Sequence, residues 1–330
     1  MTKKTLITSL KVIVPILFGI FLIGLTYNKT TTSERADVIK YIKEADYFWV
    51  VASIVLGLLS HASRAYRWKF TLEPLGYKPK FLNSFMAVMI AYFANLGIPR
   101  SGEILRATTL TTYEGVPFEK AFGTIVAERI ADLVMSFVFI FIALILQYDM
   151  IIEAVTPIIN LTINTVTSNP KLLFLIALIC LSVIIIVYRI TTKNSNRLIT
   201  KIKTFVTGLK DGVLSIITMK HKWAFIAHTI FIWVMYFLMF YVIFFSIPET
   251  INTPISTALV SFVTGSFTMA ATNGGLGSFP LVIQETLNLF NISNQSGLAI
   301  GWILWSAQTI LNIVAGVASF FFLPIYNRTK

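Results

Sequence analysis

The chain has 330 residues, of which 56% are hydrophobic and only 13% charged. A soluble domain carries about 25% charged residues, so this composition excludes a water-soluble globule. The net charge of +12 does not point to nucleic acid, because the basic residues sit at the ends of apolar runs, where they fix orientation in a membrane.

Apolar runs of about 20 residues, long enough to cross hydrocarbon, recur from end to end. They are expected to be helices, since lipid cannot satisfy an unpaired backbone, and no stretch alternates like the strands of a membrane barrel. The first run, 10–27, follows Lys3 and Lys4 and lacks a small-residue cleavage site, so it reads as a retained helix that starts in the cytoplasm. Residues 28–46 are polar and lie outside. A second span from Tyr47 returns inward and ends in Arg64, Arg67 and Lys69. The stretch 81–98 is apolar but carries Asn95 and breaks at Gly97, Pro99 and Gly102; 118–148 is a long apolar helix. The span 171–188 is followed by Arg189, Lys193, Arg197, Lys201, Lys203 and Lys210, a block that belongs in the cytoplasm. The helix ending near 148 must then run outward, so 81–117 begins and ends inside, as a re-entrant hairpin does.

The second half repeats the pattern upside down. The basic segment 190–222 carries Leu198, Ile202, Phe205 and Leu209 at helical spacing and reads as an amphipathic helix on the cytoplasmic leaflet. Residues 223–247 run outward, and 297–325 run inward to Arg328 and Lys330. Between them, 255–290 is apolar but broken by Asn273, Gly274, Gly275, Gly277 and Pro280, a second hairpin from the opposite face. The expected fold is an all-α polytopic membrane protein with six full spans and two oppositely oriented re-entrant hairpins. It forms one membrane domain of two inverted halves, 1–150 and 151–330, with both termini cytoplasmic. Lys29, Arg35, Lys40, Lys43 and Lys171 fall outside, which leaves 22 of the 27 Lys and Arg inside. Eight plain spans are the alternative, and they move Arg100 and Arg106 outside. Paired broken segments in two inverted halves point to a transport site near the midplane.

Ionisable groups at lipid depth are expensive and mark function or pairing. Arg100, Glu103 and Arg106 cluster in the first hairpin, and Glu128, Arg129 and Asp132 on the next helix. Glu128 and Asp132 are four apart and share a face; Arg129 and Asp132, like Glu103 and Arg106, are three apart. Three positive and three negative charges balance, which fits an ion-pair network pinning hairpin to helix. The competing reading frees one or two arginines to hold a lipid phosphate through their planar donors. Arg64 and Arg67 either add charge at the same mouth or anchor the span at the interface. Asn273, Gly274, Gly275 and Gly277 let backbone approach an anion, while Gln308 and Asn312 join Trp305 in a polar stripe on the last span. His228, alone in an apolar helix, is expected to be packed. Three scattered histidines (His61, His221, His228) and the single Cys180 make no metal site or disulfide, and no phosphate loop of the Gly-Lys-Ser type is present, so no cofactor is expected.

Several of these motifs fall in a recognisable order: Arg64-Ala-Tyr-Arg67-Trp68, Leu75-Gly76, Ile98-Pro99-Arg100-Ser101-Gly102-Glu103-Ile104-Leu105-Arg106, Glu128-Arg129 with Asp132, and Gly274-Gly275-Leu276-Gly277. This order resembles the lysylphosphatidylglycerol synthase transmembrane-region family, also called flippase-like membrane proteins, over nearly the whole chain. Fused members carry a soluble aminoacyl-lipid synthase domain after the membrane region, and that transferase activity is not expected in these residues. Members often place a glutamate soon after the Gly-Gly-hydrophobic-Gly turn; here the stretch reads Ser278-Phe279-Pro280, with Glu285 the next acid. The resemblance implies movement of an anionic, aminoacylated or polyprenyl- or glyco-linked lipid between leaflets of a bacterial or archaeal inner membrane. Arg100 or Arg106 would meet the phosphate, with Glu103, Glu128 and Asp132 positioning them or taking a proton. A second expectation is a membrane accessory or scaffold for a glycosyltransferase or lipid-modifying enzyme. No nucleophile–base pair is visible, so an enzyme is not expected.

Overall fold

A computed structural model of the protein describes residues 30–169 and 219–328 apart from Asn273, together with scattered positions within 17–28, 174–182 and 207–214. The expected first span, the span at 171–188 and the amphipathic segment at 190–222 therefore lie largely outside the described residues, as does Cys180. The described chain divides into two units, one of residues 1–141 with 208–330, the other of residues 142–207.

Every described element is helical. In the larger unit, α1 (Thr32–Glu44) starts at a reciprocal cap: the Glu34 amide donates to the Thr31 hydroxyl at 3.2 Å, and the Thr31 amide to the Glu34 carboxylate at 2.7 Å. Then come α2 (Tyr47–Leu72), α3 (Phe81–Gly97), α4 (Ser101–Glu114), α5 (Phe118–Leu146, whose last turn enters the second unit), α7 (Lys222–Tyr241), α8 (Ile255–Ala271), α9 (Ser278–Asn288) and α10 (Asn294–Tyr326). The second unit's α6 (Tyr148–Thr167) carries Pro157 within it. Four helices, with their short 3-10 extensions, are long and apolar enough to cross a membrane: Tyr47–Leu75, Phe118–Leu146, Lys222–Ser246 and Asn294–Tyr326. Two shorter apolar helices, Phe81–Gly97 and Ile255–Ala271, accompany them. The protein is thus an all-helical, multi-pass membrane protein.

Each short apolar helix turns back on the helix that follows it. After α3 the chain reverses through Arg100, a non-glycine residue at φ 62°. The reversal is held by Asn95, whose side-chain oxygen accepts from the Gly102 amide at 2.8 Å, and by the Ser101 hydroxyl, which donates to the Ile98 carbonyl at 2.8 Å. Gly102 is obligatory here, since a Cβ would collide with the Ala91 carbonyl. After α8 the reversal runs through Gly274, Gly275 and Gly277, all at φ near 70°. Trp305 ties that turn to α10 by donating from its indole to the Gly274 carbonyl at 2.7 Å.

Lipid gives helices no hydrophobic reason to associate, so close van der Waals fit must supply the attraction, and small residues allow it. The spine α10 follows this rule twice. A Cβ on Gly301 would stand 2.6 Å from Cα of Pro280 on α9, and one on Gly316 would meet Met89 and Phe93 of α3. Gly57 on α2 likewise lets Leu311 of α10 and Met239 of α7 approach. The tips of the two helix pairs come together, with Leu96 only 3.5 Å from where a Gly274 side chain would begin. Leu133, Val134, Phe137 and Phe141 of α5 are exposed among the described residues.

Candidate functional site

The charged site grows from one face of α2. Buried Ser53, Gly57, Ser60, His61, Arg64, Arg67 and Trp68 recur at three- and four-residue steps, which puts two guanidiniums on the inward stripe. Arg64 and Arg67 are 3% and 0% exposed. Both are buried within the protein, met by Asp132 of α5 and, for Arg67, by Thr229 of α7.

From α5, Asp132 faces Arg64 at 2.8 Å and Arg67 at 3.3 Å. One turn back, Glu128 holds Arg106 of α4 through both oxygens, at 2.9 and 3.3 Å, and stands 3.7 Å from Arg67. Arg67 donates its remaining terminal nitrogen to the Thr229 hydroxyl of α7 at 2.8 Å. Arg106 lies flat against Trp68, 3.8 Å above the ring, and the Trp68 indole is fixed by donating to Thr124 at 2.8 Å. On the open side Glu103 accepts from Arg129 at 2.9 Å, and Arg129 also approaches Asp132 at 3.7 Å. Glu103 and Arg106, three apart on one helix, therefore do not pair; each reaches across to α5.

Four arginines meet three carboxylates, so the cluster carries one excess positive charge. The balanced set expected from the sequence omits Arg64 and Arg67, which are inside, and includes Arg100, which is exposed at the hairpin tip with no ion pair among the described residues. Donors also outnumber acceptors: the Nε atoms of Arg64, Arg67 and Arg106 are buried without a hydrogen-bond partner, as is one Glu103 oxygen. An unmet buried donor costs about 1–3 kcal/mol, more for a charged group, so this surplus is not explained by stability.

Arg64, Asn95, Glu103, Arg106 and Arg129, with Tyr92, bound a cavity of about 10 Å³, roughly the room one water needs. On the other flank of the same hairpin Phe93, Leu96, Ile98, Ile104, Leu105 and Ile313 line an apolar groove of about 670 Å³. Polar cavity and apolar groove share one helix pair because Asn95, Glu103 and Arg106 alternate with Leu96, Ile104 and Leu105 around its two helices.

The second hairpin is less like an anion cradle than its glycines suggest. The Gly274 amide already donates to the Thr272 carbonyl at 3.0 Å, its carbonyl accepts from Trp305, and Gly277 abuts Gly19 of the N-terminal segment. Asn273 lies outside the described residues. Gln308 faces α2 at Gly57, and Asn312 has a buried side-chain oxygen without a partner; neither makes an ion pair or hydrogen bond with the arginine cluster among the described residues. His228 is held by Ser63 at 2.8 Å. Among the described residues no three His, Cys, Asp or Glu side chains gather as a metal site.

Sequence comparison agrees with the motif order. The family described as the lysylphosphatidylglycerol synthase TM region matches residues 12–316. The chain is 34% identical over 98 residues to the UPF0104 membrane protein MJ1595 of Methanocaldococcus jannaschii, covering 29% of each. It is 31% identical over 103 residues to the glycosyltransferase AglD of Haloferax volcanii, covering 30% of this chain and 16% of that protein. The chain thus spans less than a third of the length of these relatives. No solved structure matches it. With most of its length inside the family's pattern, the chain belongs to the lysylphosphatidylglycerol synthase TM-region family.

Proposed function

We propose that this protein moves an anionic lipid between leaflets, with the headgroup passing through the arginine cluster between α2, α4 and α5. The observation that carries the reading is the surplus of buried guanidinium donors over carboxylate acceptors, beside a cavity lined by Asn95, Glu103 and Arg106 of the first hairpin. An ionised phosphodiester supplies the missing charge and acceptors together. The apolar groove on the other flank suits the lipid's chains, and Arg100 suits first capture of the headgroup. The cavity holds about one water, so the headgroup enters only when the hairpin shifts.

In this reading the two helix pairs are re-entrant hairpins from opposite faces, part of an inverted repeat over 1–150 and 151–330 with both termini cytoplasmic. The meeting of Leu96 with Gly274 supports it, since tips entering from opposite sides touch at the midplane. The chain acts as a transporter rather than an enzyme. A second reading, a membrane accessory for a glycosyltransferase, is favoured by one relative being named a glycosyltransferase.

The test is leaflet transfer of a fluorescent phosphatidylglycerol in reconstituted vesicles. Arg100→Ala and Arg106→Ala are expected to abolish transfer while the protein still inserts. Intact transfer in both variants sinks the assignment, and a stably co-purifying glycosyltransferase with no transfer favours the second reading.

A further inference from the structure

One buried titratable side chain has no part in the ion-pair network. His61 sits on α2 one turn before Arg64, is 3% exposed, and has no hydrogen-bond partner at either ring nitrogen. Its ring lies against Tyr92 of α3, with centroids 4.4 Å apart, and near Tyr236 of α7 at 6.2 Å. The two phenols share a hydrogen bond of 2.7 Å. Tyr92 also walls the small cavity among the arginines, so His61 is one ring away from the space where a headgroup would enter. An imidazole so placed is a poor packing choice: an apolar side chain would fill the volume without two unmet polar atoms.

Two of the three carboxylates are badly placed to take a coupling proton, and the third, Glu103, is paired with Arg129 at 2.9 Å. Asp132 and Glu128 each face more than one guanidinium, so neutralising either leaves buried positive charge unbalanced. His61 faces Arg64 on its own helix, Tyr92 from α3 and Tyr236 from α7, with Asp132 of α5 beyond Arg64. The α10 helix, packed on α2 at Gly57, carries no titratable side chain before Tyr326. A charged imidazole here adds to the cluster's single excess positive charge and has no acceptor until an anion arrives.

We infer that His61 is the proton-binding site that couples anion entry to proton uptake, joined to the headgroup cavity through the Tyr92–Tyr236 pair. It rests on the anion-site reading above and adds the coupling ion. The proton comes from water and forms one N–H bond on the ring, and that N–H then has the entering anion as its acceptor. Linkage is reciprocal: the anion favours the proton as much as the proton favours the anion.

The test is calorimetric titration of the whole protein in detergent with dioctanoyl phosphatidylglycerol, in two buffers of different ionisation heat. Dimethyl phosphate, ionised throughout the range, serves as the chainless probe. The expected result is uptake of about one proton per bound lipid and an affinity that rises by up to about tenfold per unit fall in pH between about 8 and 6. The His61→Gln variant should lose both the uptake and the pH dependence. The wild-type proton count needs no variant, so a misfolded His61→Gln leaves the question answerable. Lipid binding without proton uptake, or uptake that survives His61→Gln, overturns the proton site and leaves the anion site standing. Absence of binding by either probe at every pH overturns both. Uptake with dimethyl phosphate alone keeps the proton site and replaces the lipid by a free anion.

Discussion

Removing the charge of Glu128 measures how far the arginine cluster is withdrawn from water. Glu128 is 1% exposed and faces Arg106 at 2.9 Å and Arg67 at 3.7 Å. At an effective dielectric of about 20, two unit charges about 4 Å apart attract by roughly 4 kcal/mol. The two guanidiniums together exceed that, but a glutamine keeps one hydrogen bond and avoids the carboxylate's own desolvation. Glu128→Gln should therefore cost about 3–5 kcal/mol, the usual penalty for a buried pair deprived of one member. Arg106→Met in the same chain removes the stranded cation and fills similar volume beside Trp68, so the double variant should return to within about 1–2 kcal/mol of the wild type. Unfolding in mixed micelles, run as a double-mutant cycle, should give a coupling that exceeds the roughly 1–4 kcal/mol recovered by Arg106→Met in the Glu128→Gln background by the cost of Arg106→Met alone. A Glu128→Gln variant within about 1 kcal/mol of the wild type would falsify the buried-network argument, because exposed pairs behave in that way.

The remaining predictions use contrasts within the same structure. Glu103→Gln breaks the pair with Arg129, whose side chain is 47% exposed, so it should cost under about 1 kcal/mol in the same unfolding assay. Arg100→Gly relieves a left-handed backbone that costs an L-residue about 1–2 kcal/mol, so it should hold or raise stability while abolishing transfer of labelled phosphatidylglycerol, as Arg100→Ala does; an unchanged transfer rate removes Arg100 from headgroup capture. Gly102→Ala forces a methyl into the Ala91 carbonyl and should destabilise by about 1–3 kcal/mol, seen as a lowered unfolding midpoint, whereas Gly24→Ala, which meets nothing, should not. Outside the spans, hydrogen bonds from Ser296, Tyr41 and Ser293 hold the Glu249 carboxyl below the usual carboxylate range, and Glu249 in turn pushes the Tyr41 phenol up to about 12. A lowered folded value contributes stability above the unfolded value near 4.3 and loses it as pH falls through the folded one, so unfolding scans below about pH 5 should show a loss that Glu249→Gln removes. Glu249 is largely exposed, so the effect should stay below about 1 kcal/mol.

Much of this was legible in the chain itself. The four long apolar helices, the two broken ones and the charged segments 100–106 and 128–132 follow from hydropathy, glycine placement and the cost of charge in lipid. Spacing could not tell which acid meets which base. Glu103 and Arg106 share a helix face, yet the rotation of α4 against α5 sends Arg106 inward to Glu128 and Glu103 outward to Arg129. Arg64 and Arg67 look interfacial in the sequence because they stand near the end of a span; Thr229 and Phe225, from a helix some 160 residues later, cover Arg67, and Tyr236 of the same helix faces Arg64. His61 and the Tyr92–Tyr236 pair come from three separate apolar helices and give no local pattern. The one available signal was an isolated histidine on the same stripe as Arg64 and Trp68.

The placement of the charges also bears on why they are there. Replacing a buried ion pair by apolar residues is often neutral or stabilising, so a cluster of four arginines and three acids is not retained for stability alone. Its members come from α2, α4 and α5, so the network fastens the first hairpin to α5 through Arg106–Glu128 and Glu103–Arg129, and α5 in turn to α2 through Asp132. The hairpin's other attachments are of a different kind. Gly316 of α10 brings its backbone against Met89 and Phe93 of α3, and such packing carries no charge to exchange. Under the proposed transport, an entering anion would compete with Glu128 and Asp132 for the arginines and leave the glycine contact alone. The ionic tether would then be the element that a charged headgroup releases, and the hairpin the element that release sets free to move.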